Sequence, residues 1–263
     1  MLSDVSKSFW VERSRQTVEA VEDFTVDVRR GEFFTLVGPS GCGKSTVLGM
    51  IAGFEAPSSG TITMNGEVID TTSAERGMLF QEYALFPWKT VRGNIEFGLK
   101  HGPSREKAAE RARIVQHHID LVGLTGSEGK YPHELSGGMR QRCALARLLA
   151  CDPEVLLMDE PLAALDAQTR RILQEELLRI WGQERRPGDR KTIIYVTHAI
   201  DEAVFLSDRV GVMSRSPGRL KEIVEIGLPR PRNEGTRGMP RAAELENAIW
   251  SLIREDAYRA TFE

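Results

Sequence analysis

Cysteine is scarce in this chain of 263 residues: Cys42, Cys143 and Cys151 are odd in number and lack a CxxC spacing. That argues against a disulfide framework or a zinc site and leaves small buried or loop thiols as the expectation. No apolar run approaches the ~18 residues a membrane-spanning helix needs; runs such as residues 155–158 and 192–196 are strand-sized. Neither charge sign dominates, with 35 Lys and Arg against 38 Asp and Glu and a net charge of −3. An overall basic field is therefore missing, and no nucleic-acid partner is expected. The opening Met1-Leu2-Ser3-Asp4 has no basic-then-apolar character, so a cytosolic location is expected. Internal repeats and low-complexity tracts are also lacking. What remains is an ordinary globular balance, 41% hydrophobic and 28% charged, in a length that suits one large domain or two small ones.

Val18, Val21, Phe24, Val26 and Val28 give a partly alternating β pattern that ends at the Arg30-Gly31 turn. Residues 32–37 (EFFTLV) are a short strand feeding a glycine-rich loop, and residues 45–52 (STVLGMIA) have helical spacing that stops at Gly53. Residues 61–64 followed by Asn65-Gly66 read as one arm of a hairpin. From about 91 to 150 the composition turns helical. Ser104 can cap a helix with Val115, Ile119 and Val122 on one face and Gly123 at its end, and a second helix spans 138–150. Strands return at 155–158, 192–196 and 210–213, separated by a helix over 169–184 with apolar Ile172, Leu177 and Ile180. This alternation predicts a parallel α/β sheet with a helical lobe inserted at 91–150. Pro229-Arg230-Pro231-Arg232 and the residues to Pro240 read as a linker before a last helix carrying Leu245, Ile249 and Ile253.

Gly38-Pro39-Ser40-Gly41-Cys42-Gly43-Lys44-Ser45 fits G-x-x-x-x-G-K-[ST] with a strand before it and a helix after it. Glycines let backbone N–H groups converge on phosphate oxygens, and the helix N-terminus adds roughly half a positive charge. That is too little to neutralise a triphosphate, so Lys44 is expected on the β/γ-phosphates and Ser45 on Mg²⁺; Thr46 follows in the cofactor-binding set. Residues 155–160 form a hydrophobic strand ending in two acids. At the C-terminal edge of a strand in such a fold, Asp159 would face the metal and Glu160 would be the general base for the attacking water. The bland alternative is a polar strand end leading into the Pro161 turn. Leu135-Ser136-Gly137-Gly138 precedes a helix and makes a second anion-binding helix start, for which simple capping is the alternative.

The order of these elements, P-loop, LSGG helix start, strand with Asp159-Glu160-Pro161, Ala164-Leu165-Asp166 and then Thr197-His198, resembles the nucleotide-binding subunit of ATP-binding-cassette (ABC) transporters over about residues 2–231. The resemblance implies an α/β fold: a RecA-like P-loop core, an N-terminal antiparallel β subdomain and an inserted α-helical subdomain. Residues 1–230 would be the ATPase domain, with the helical part at about 91–150, and 231–263 a linker and C-terminal helix. It implies that Gln81 senses metal and attacking water, that His198 contacts the γ-phosphate, and that Asp166 belongs to a loop crossing a dimer interface. An aromatic in this family stacks on adenine; Phe9 sits at that place, with Trp10 as competitor and core packing as the plain alternative. Where the family signature often ends in glutamine this chain has Met139, and Ala163-Ala164 lacks a serine often seen there. ATP and Mg²⁺ are the implied cofactors. A head-to-tail dimer is the implied assembly, with Ser136, Gly137 and Gly138 of one copy on the ATP of the other.

Residues 80–91 (FQEYALFPWKTV) and Leu228-Pro229-Arg230-Pro231-Arg232 resemble importer ATPases of the nitrate, sulfonate and taurine group. Phe86 and Trp88 would then offer a socket for a permease helix, with core packing as the alternative. The implied function is ATP hydrolysis that drives uptake of a small anion, at the cytoplasmic face of the inner membrane, with permease subunits and, indirectly, a solute-binding protein as partners. A soluble non-transport ABC ATPase and a nucleotide-gated scaffold are the competing readings. Intact Glu160 and His198 speak against the scaffold. The solute is not encoded in a subunit that does not touch it.

Overall fold

Apolar residues at alternate positions make the N-terminal segment a sheet. In the computed structural model, which describes residues 1–12, 15–80, 83–101, 108–182 and 189–262, β1 (Leu2–Val11) pairs antiparallel with β2 (Gln16–Val26), so that Leu2 meets Val26 and Phe9 meets Val18. β4 (Ser59–Met64) lies on the other side of β1. β5 (Glu67–Val68) returns along β4 through Asn65 and Gly66, whose φ values of 53° and 86° are the two positive angles a tight primed hairpin turn needs. The sheet order is β2-β1-β4-β5.

The chain divides into two compact units, Met1–Thr72 with Leu178–Glu263, and Ser73–Leu177. In the first, β3 (Phe33–Val37), buried at every residue, runs parallel between β8 (Thr192–Thr197) and β9 (Arg209–Met213), and β10 (Leu220–Glu225) closes antiparallel on β9. Strands buried on both faces are read as continuous apolar runs because helices cover both sides. The helices of this unit include α1 (Lys44–Ala52), α6 (Ile200–Leu206) and α8 (Pro240–Phe262). Leu245, Ile249 and Ile253 of α8 pack on Ala203 and Val204 of α6 and on Val210 and Val212 of β9. The segment read from sequence as a linker is tied to this core. It holds a one-turn helix, α7 (Glu234–Arg237), and Arg232 is 2% exposed. The Arg232 guanidinium donates to the carbonyls of Val204 and Phe205 near the end of α6, and burial beside Arg230 pushes its pKa down to about 9. Those carbonyls belong to a helix end that otherwise lacks intrahelical partners.

The second unit pairs β6 (Arg76–Leu79) in parallel with β7 (Val155–Asp159). Its helices α2 (Val91–His101), α3 (Ala108–Leu121) and α4 (Gly137–Ala150) bury one shared core of Val91, Ile95, Leu99, Val115, Ile119, Cys143 and Ala146. Ser104, expected as a cap, lies outside the described residues. One expectation needs correction. Along α5 (Ala167–Trp181) the buried face is Leu173, Leu177, Leu178 and Trp181, and Ile172 is 62% exposed; the fourfold spacing of Leu173, Leu177 and Trp181 selects that stripe. His117 and His118 of α3 meet edge-on with ring centroids 5.3 Å apart. Successive residues are a quarter-turn apart, which two rings can still bridge.

Candidate nucleotide site

Residues 38–43 leave the end of β3 and turn directly into α1. Gly41 and Gly43 have φ of 76° and 90°, angles that glycine adopts without a Cβ clash. At Gly43 a Cβ would also lie 2.7 Å from the Ala20 carbonyl oxygen and 2.8 Å from Val21 Cγ2, so β2 is packed hard against the loop. Helix α1 starts with no side-chain cap and no acidic residue in its first turn. Its first N–H groups and its positive dipole end are therefore left for an anion. Lys44 is 7% exposed, and its ammonium donates to the carbonyls of Gly38 at 2.8 Å and Pro39 at 2.9 Å, with Cys42 Sγ at 3.5 Å. A charged phosphate is a stronger acceptor than these neutral carbonyls. Burial pushes the Cys42 thiol up despite Lys44 beside it, so Cys42 fills space in the loop and is a poor thiolate.

Two further expected residues belong to this unit. Val37 of β3 is level with Thr197 of β8. Strands in a sheet lie about 4.8 Å apart, so the start of the loop and His198, the exposed residue after β8, share one sheet edge. Phe9, at 37% exposure, shares a face of β1 with Val5 and Lys7, and the Lys7 ammonium sits 4.9 Å from its ring centroid. Lys7 is level with Val21, the residue that touches Gly43. Trp10, 63% exposed, takes the opposite face of the strand.

The second unit holds the acids and the LSGG helix start. Asp159 ends β7 at 6% exposure. Glu160 follows with φ 48°, a left-handed angle that costs a non-glycine residue about 1–3 kcal/mol and clusters at functional sites. Ser136 caps α4, its hydroxyl accepting from the Met139 N–H at 3.3 Å. A Cβ on Gly138 would lie 3.3 Å from Leu165, which places the start of α4 against the loop that ends in Asp166. The Asp166 carboxylate accepts from the N–H groups of Gln168 and Thr169 and so caps α5; the Thr169 bond leads the causes that hold its carboxyl below the usual range. Met139, the departure from the family signature, packs on the helical core. Gln81 lies outside the described residues. Phe86 packs on Phe97 at 4.4 Å, and Trp88 is 70% exposed.

Three residues with structural ties to this machinery had escaped the sequence reading. Gln141 of α4 donates to the Glu160 carbonyl at 3.1 Å and accepts from the Ala164 N–H at 3.2 Å. Its signal was legible: it falls on the α4 face shared by Leu145 and Leu148, where a polar residue needs a partner. Arg147 donates to the carbonyls of Ala84 at 2.7 Å and Tyr83 at 3.2 Å, residues with φ of 43° and 58°. Gly218 lies in the turn between β9 and β10, bonded to β2 through the Ala20 carbonyl and the Glu22 N–H. Neither Arg147 nor Gly218 carries a local signal, because their partners are distant in sequence.

Comparison with known proteins places this geometry. Residues 21–163 match the family model described as ABC transporter. An uncharacterised ABC transporter ATP-binding protein of Methanocaldococcus jannaschii is 52% identical over 92% of this chain and 87% of its own length. The nitrate import ATP-binding protein of Synechococcus elongatus is 46% identical, covering 90% of this chain and 83% of that protein. The aliphatic sulfonates import ATP-binding protein of Bacillus anthracis is 45% identical over 89% of this chain and 88% of its own. Among solved structures, a dimeric ATP-binding cassette in a post-hydrolysis state bound to ADP and Pi superimposes with a TM-score of 0.76 at 26% identity, over 86% of this chain and 97% of that one. The fold is that of the P-loop ATPase cassettes, and the chain belongs to the ABC transporter family as one of its ATP-binding proteins.

Proposed function

We propose that the chain is the ATP-hydrolysing subunit that powers an importer of a small anion such as nitrate, a sulfonate or taurine, working as a head-to-tail dimer beneath a membrane permease. The observation that carries the reading is Lys44, buried at the mouth of a glycine loop whose helix starts uncapped, in a chain 45–46% identical to nitrate and sulfonate import ATP-binding proteins. The loop amides, Lys44, Ser45 and Thr46 bind the phosphates, and Phe9 stacks on adenine, its strand face being the one that Lys7 and Val21 share. Mg²⁺ suits the hard oxygen donors on offer, the exposed Ser45 hydroxyl and the Asp159 carboxylate, with Gln81 as a further expected ligand; its chemistry is charge neutralisation on the phosphates. Glu160 takes the proton of the attacking water, and His198 holds the γ-phosphate. Ser136, Gly137 and Gly138 from the second copy complete the clasp, and Asp166 lies in the loop at that interface. Catalysis is then chiefly positioning and charge stabilisation, and loss of the γ-phosphate lets the dimer open.

Among the described residues no helix is long and apolar enough to cross a membrane, so membrane attachment rests on the permease. A solute-binding protein meets the transporter on the other side. The decisive experiment is co-purification of the chain with its permease, followed by phosphate release from ATP with and without Lys44→Ala. Hydrolysis that persists at the unaltered rate in Lys44→Ala contradicts the reading.

A further inference from the structure

Glu160 has an unfavourable backbone angle, φ 48°, and something must hold it there. One side chain does so from a distance of 19 residues. Gln141 is 4% exposed, and its amide spans two points of the following loop: Nε2 donates to the Glu160 carbonyl at 3.1 Å, and Oε1 accepts from the Ala164 N–H at 3.2 Å. Between those two points the loop closes its own turn, the Ala163 N–H donating to the same Glu160 carbonyl at 3.3 Å. The amide suits the task, since it presents a donor and an acceptor in one plane for a C=O and an N–H. Both bonds are part-buried, and losing the amide takes the Gln141 acceptor from the Ala164 N–H and leaves the Glu160 carbonyl with the Ala163 N–H.

We infer that Gln141 is a positioning residue for hydrolysis: its amide clamps the Glu160–Ala164 loop, sets the direction of the Glu160 side chain, and ties it to helix α4. The inference rests on the proposed ATPase role and deepens it. Gln141 lies five residues into α4 after Ser136, about 7.5 Å along the axis at 1.5 Å per residue. In a head-to-tail dimer Ser136 meets the nucleotide of the other copy. The clamp therefore makes one rigid piece of the helix start that completes one site and the base that serves the other. Misplacing a reacting group by 1 Å can reduce rate on the order of 10²-fold, so the clamp acts on turnover and leaves nucleotide affinity alone.

The test compares the unaltered chain with Gln141→Leu and Gln141→Glu, measuring kcat from phosphate release across pH 6–8 and ATP affinity with a fluorescent nucleotide. Gln141→Leu is expected to lower kcat about 10- to 100-fold with affinity unchanged within about twofold. Gln141→Glu is isosteric and carries the test should the leucine variant fail to fold. As a carboxylate it cannot donate to the Glu160 carbonyl; once protonated it can. Burial raises a carboxyl pKa, so kcat of Gln141→Glu relative to the unaltered chain should climb as pH falls from 8 to 6. A purely structural role would lower kcat without this pH signature. Unaltered kcat in Gln141→Leu, or a pH profile of Gln141→Glu parallel to the unaltered chain, overturns the inference while Lys44-dependent hydrolysis keeps the proposed function standing. Hydrolysis that does not depend on Lys44 overturns both.

Discussion

A Cβ added to Gly218 would lie 1.9 Å from the carbonyl oxygen of Cys42, inside the phosphate loop. The turn after β9 is thus the floor on which the loop rests, strapped to β2 by the Gly218–Ala20 and Glu22–Gly218 bonds of 2.9 and 3.0 Å and by the Arg219–Glu22 ion pair. The nearest contact is with backbone, which cannot swing aside as the tip of the Met213 side chain, 2.8 Å away, can.

Gly218→Ala should therefore displace the loop. Overpacking of this kind costs about 1–3 kcal/mol, and the expected result is a lower unfolding temperature together with at least about tenfold weaker ATP binding, 1.4 kcal/mol being a factor of ten. Calorimetry and nucleotide titration check it. Wild-type values of both would show that the loop does not depend on this floor.

Glu160→Gln keeps the shape of the residue and removes its ability to take a proton. General-base catalysis is worth about 10²–10⁴-fold, so phosphate release should fall by that order while ATP binding persists and the dimer accumulates on a sizing column. Undiminished turnover would remove Glu160 from the role of base.

Ser136→Ala tests the composite site. Loss of the helix cap costs about 1 kcal/mol locally, but the informative measurement uses mixed dimers. With Ser136→Ala in one copy and Lys44→Ala in the other, both changes fall on one composite site and the other site should keep working, whereas both changes in the same copy put one on each site and should silence both. Rates that follow each chain's own P-loop and ignore the partner's serine would contradict the head-to-tail dimer.

His118 supplies a pH dependence of stability. Burial is the main cause that holds its pKa below the usual imidazole value, with His117 adding to it, while a 2.8 Å contact of Nδ1 with the Ile114 carbonyl and the charge of Asp152 oppose it. The unfolded chain then binds a proton more readily than the native one near neutrality. Stability is full above about pH 6.5, the unfolded imidazole value, and is lost as pH falls from there through the lowered native value. Thermal unfolding followed from pH 7.5 to 5.5 should show the midpoint dropping, and His118→Gln should flatten that limb. An equal slope in both proteins would assign the effect elsewhere.

Much of the fold was legible because its signals are local. Asn65-Gly66 specified a hairpin by the angles those residues tolerate, and Gly53, with φ 80°, stops α1 as its sequence position suggested. The failures were cases in which a neighbour made the choice. Ile172 fits an apolar helix pattern as well as Leu173 does, yet only Leu173 is buried; periodicity offers two stripes and packing takes one. Phe9 and Trp10 were equivalent as letters, and the alternation of β1 set them on opposite faces.

For the chemistry the division is sharper. Residues 38–45 and the Ser136-Gly137-Gly138 helix start stand out as candidates in the letters, since phosphate binding needs glycine, lysine and helix beginnings in immediate succession along the chain, and the acids at 159–160 stand out as the charged end of an apolar strand. The partners of the supporting residues could not be read there. Gln141 under Glu160, Gly218 under Cys42 and Arg147 across Tyr83 and Ala84 act over separations of 19, 176 and 63–64 residues, and a hydrogen bond or a backbone contact between such distant residues exists only once folding has brought them together.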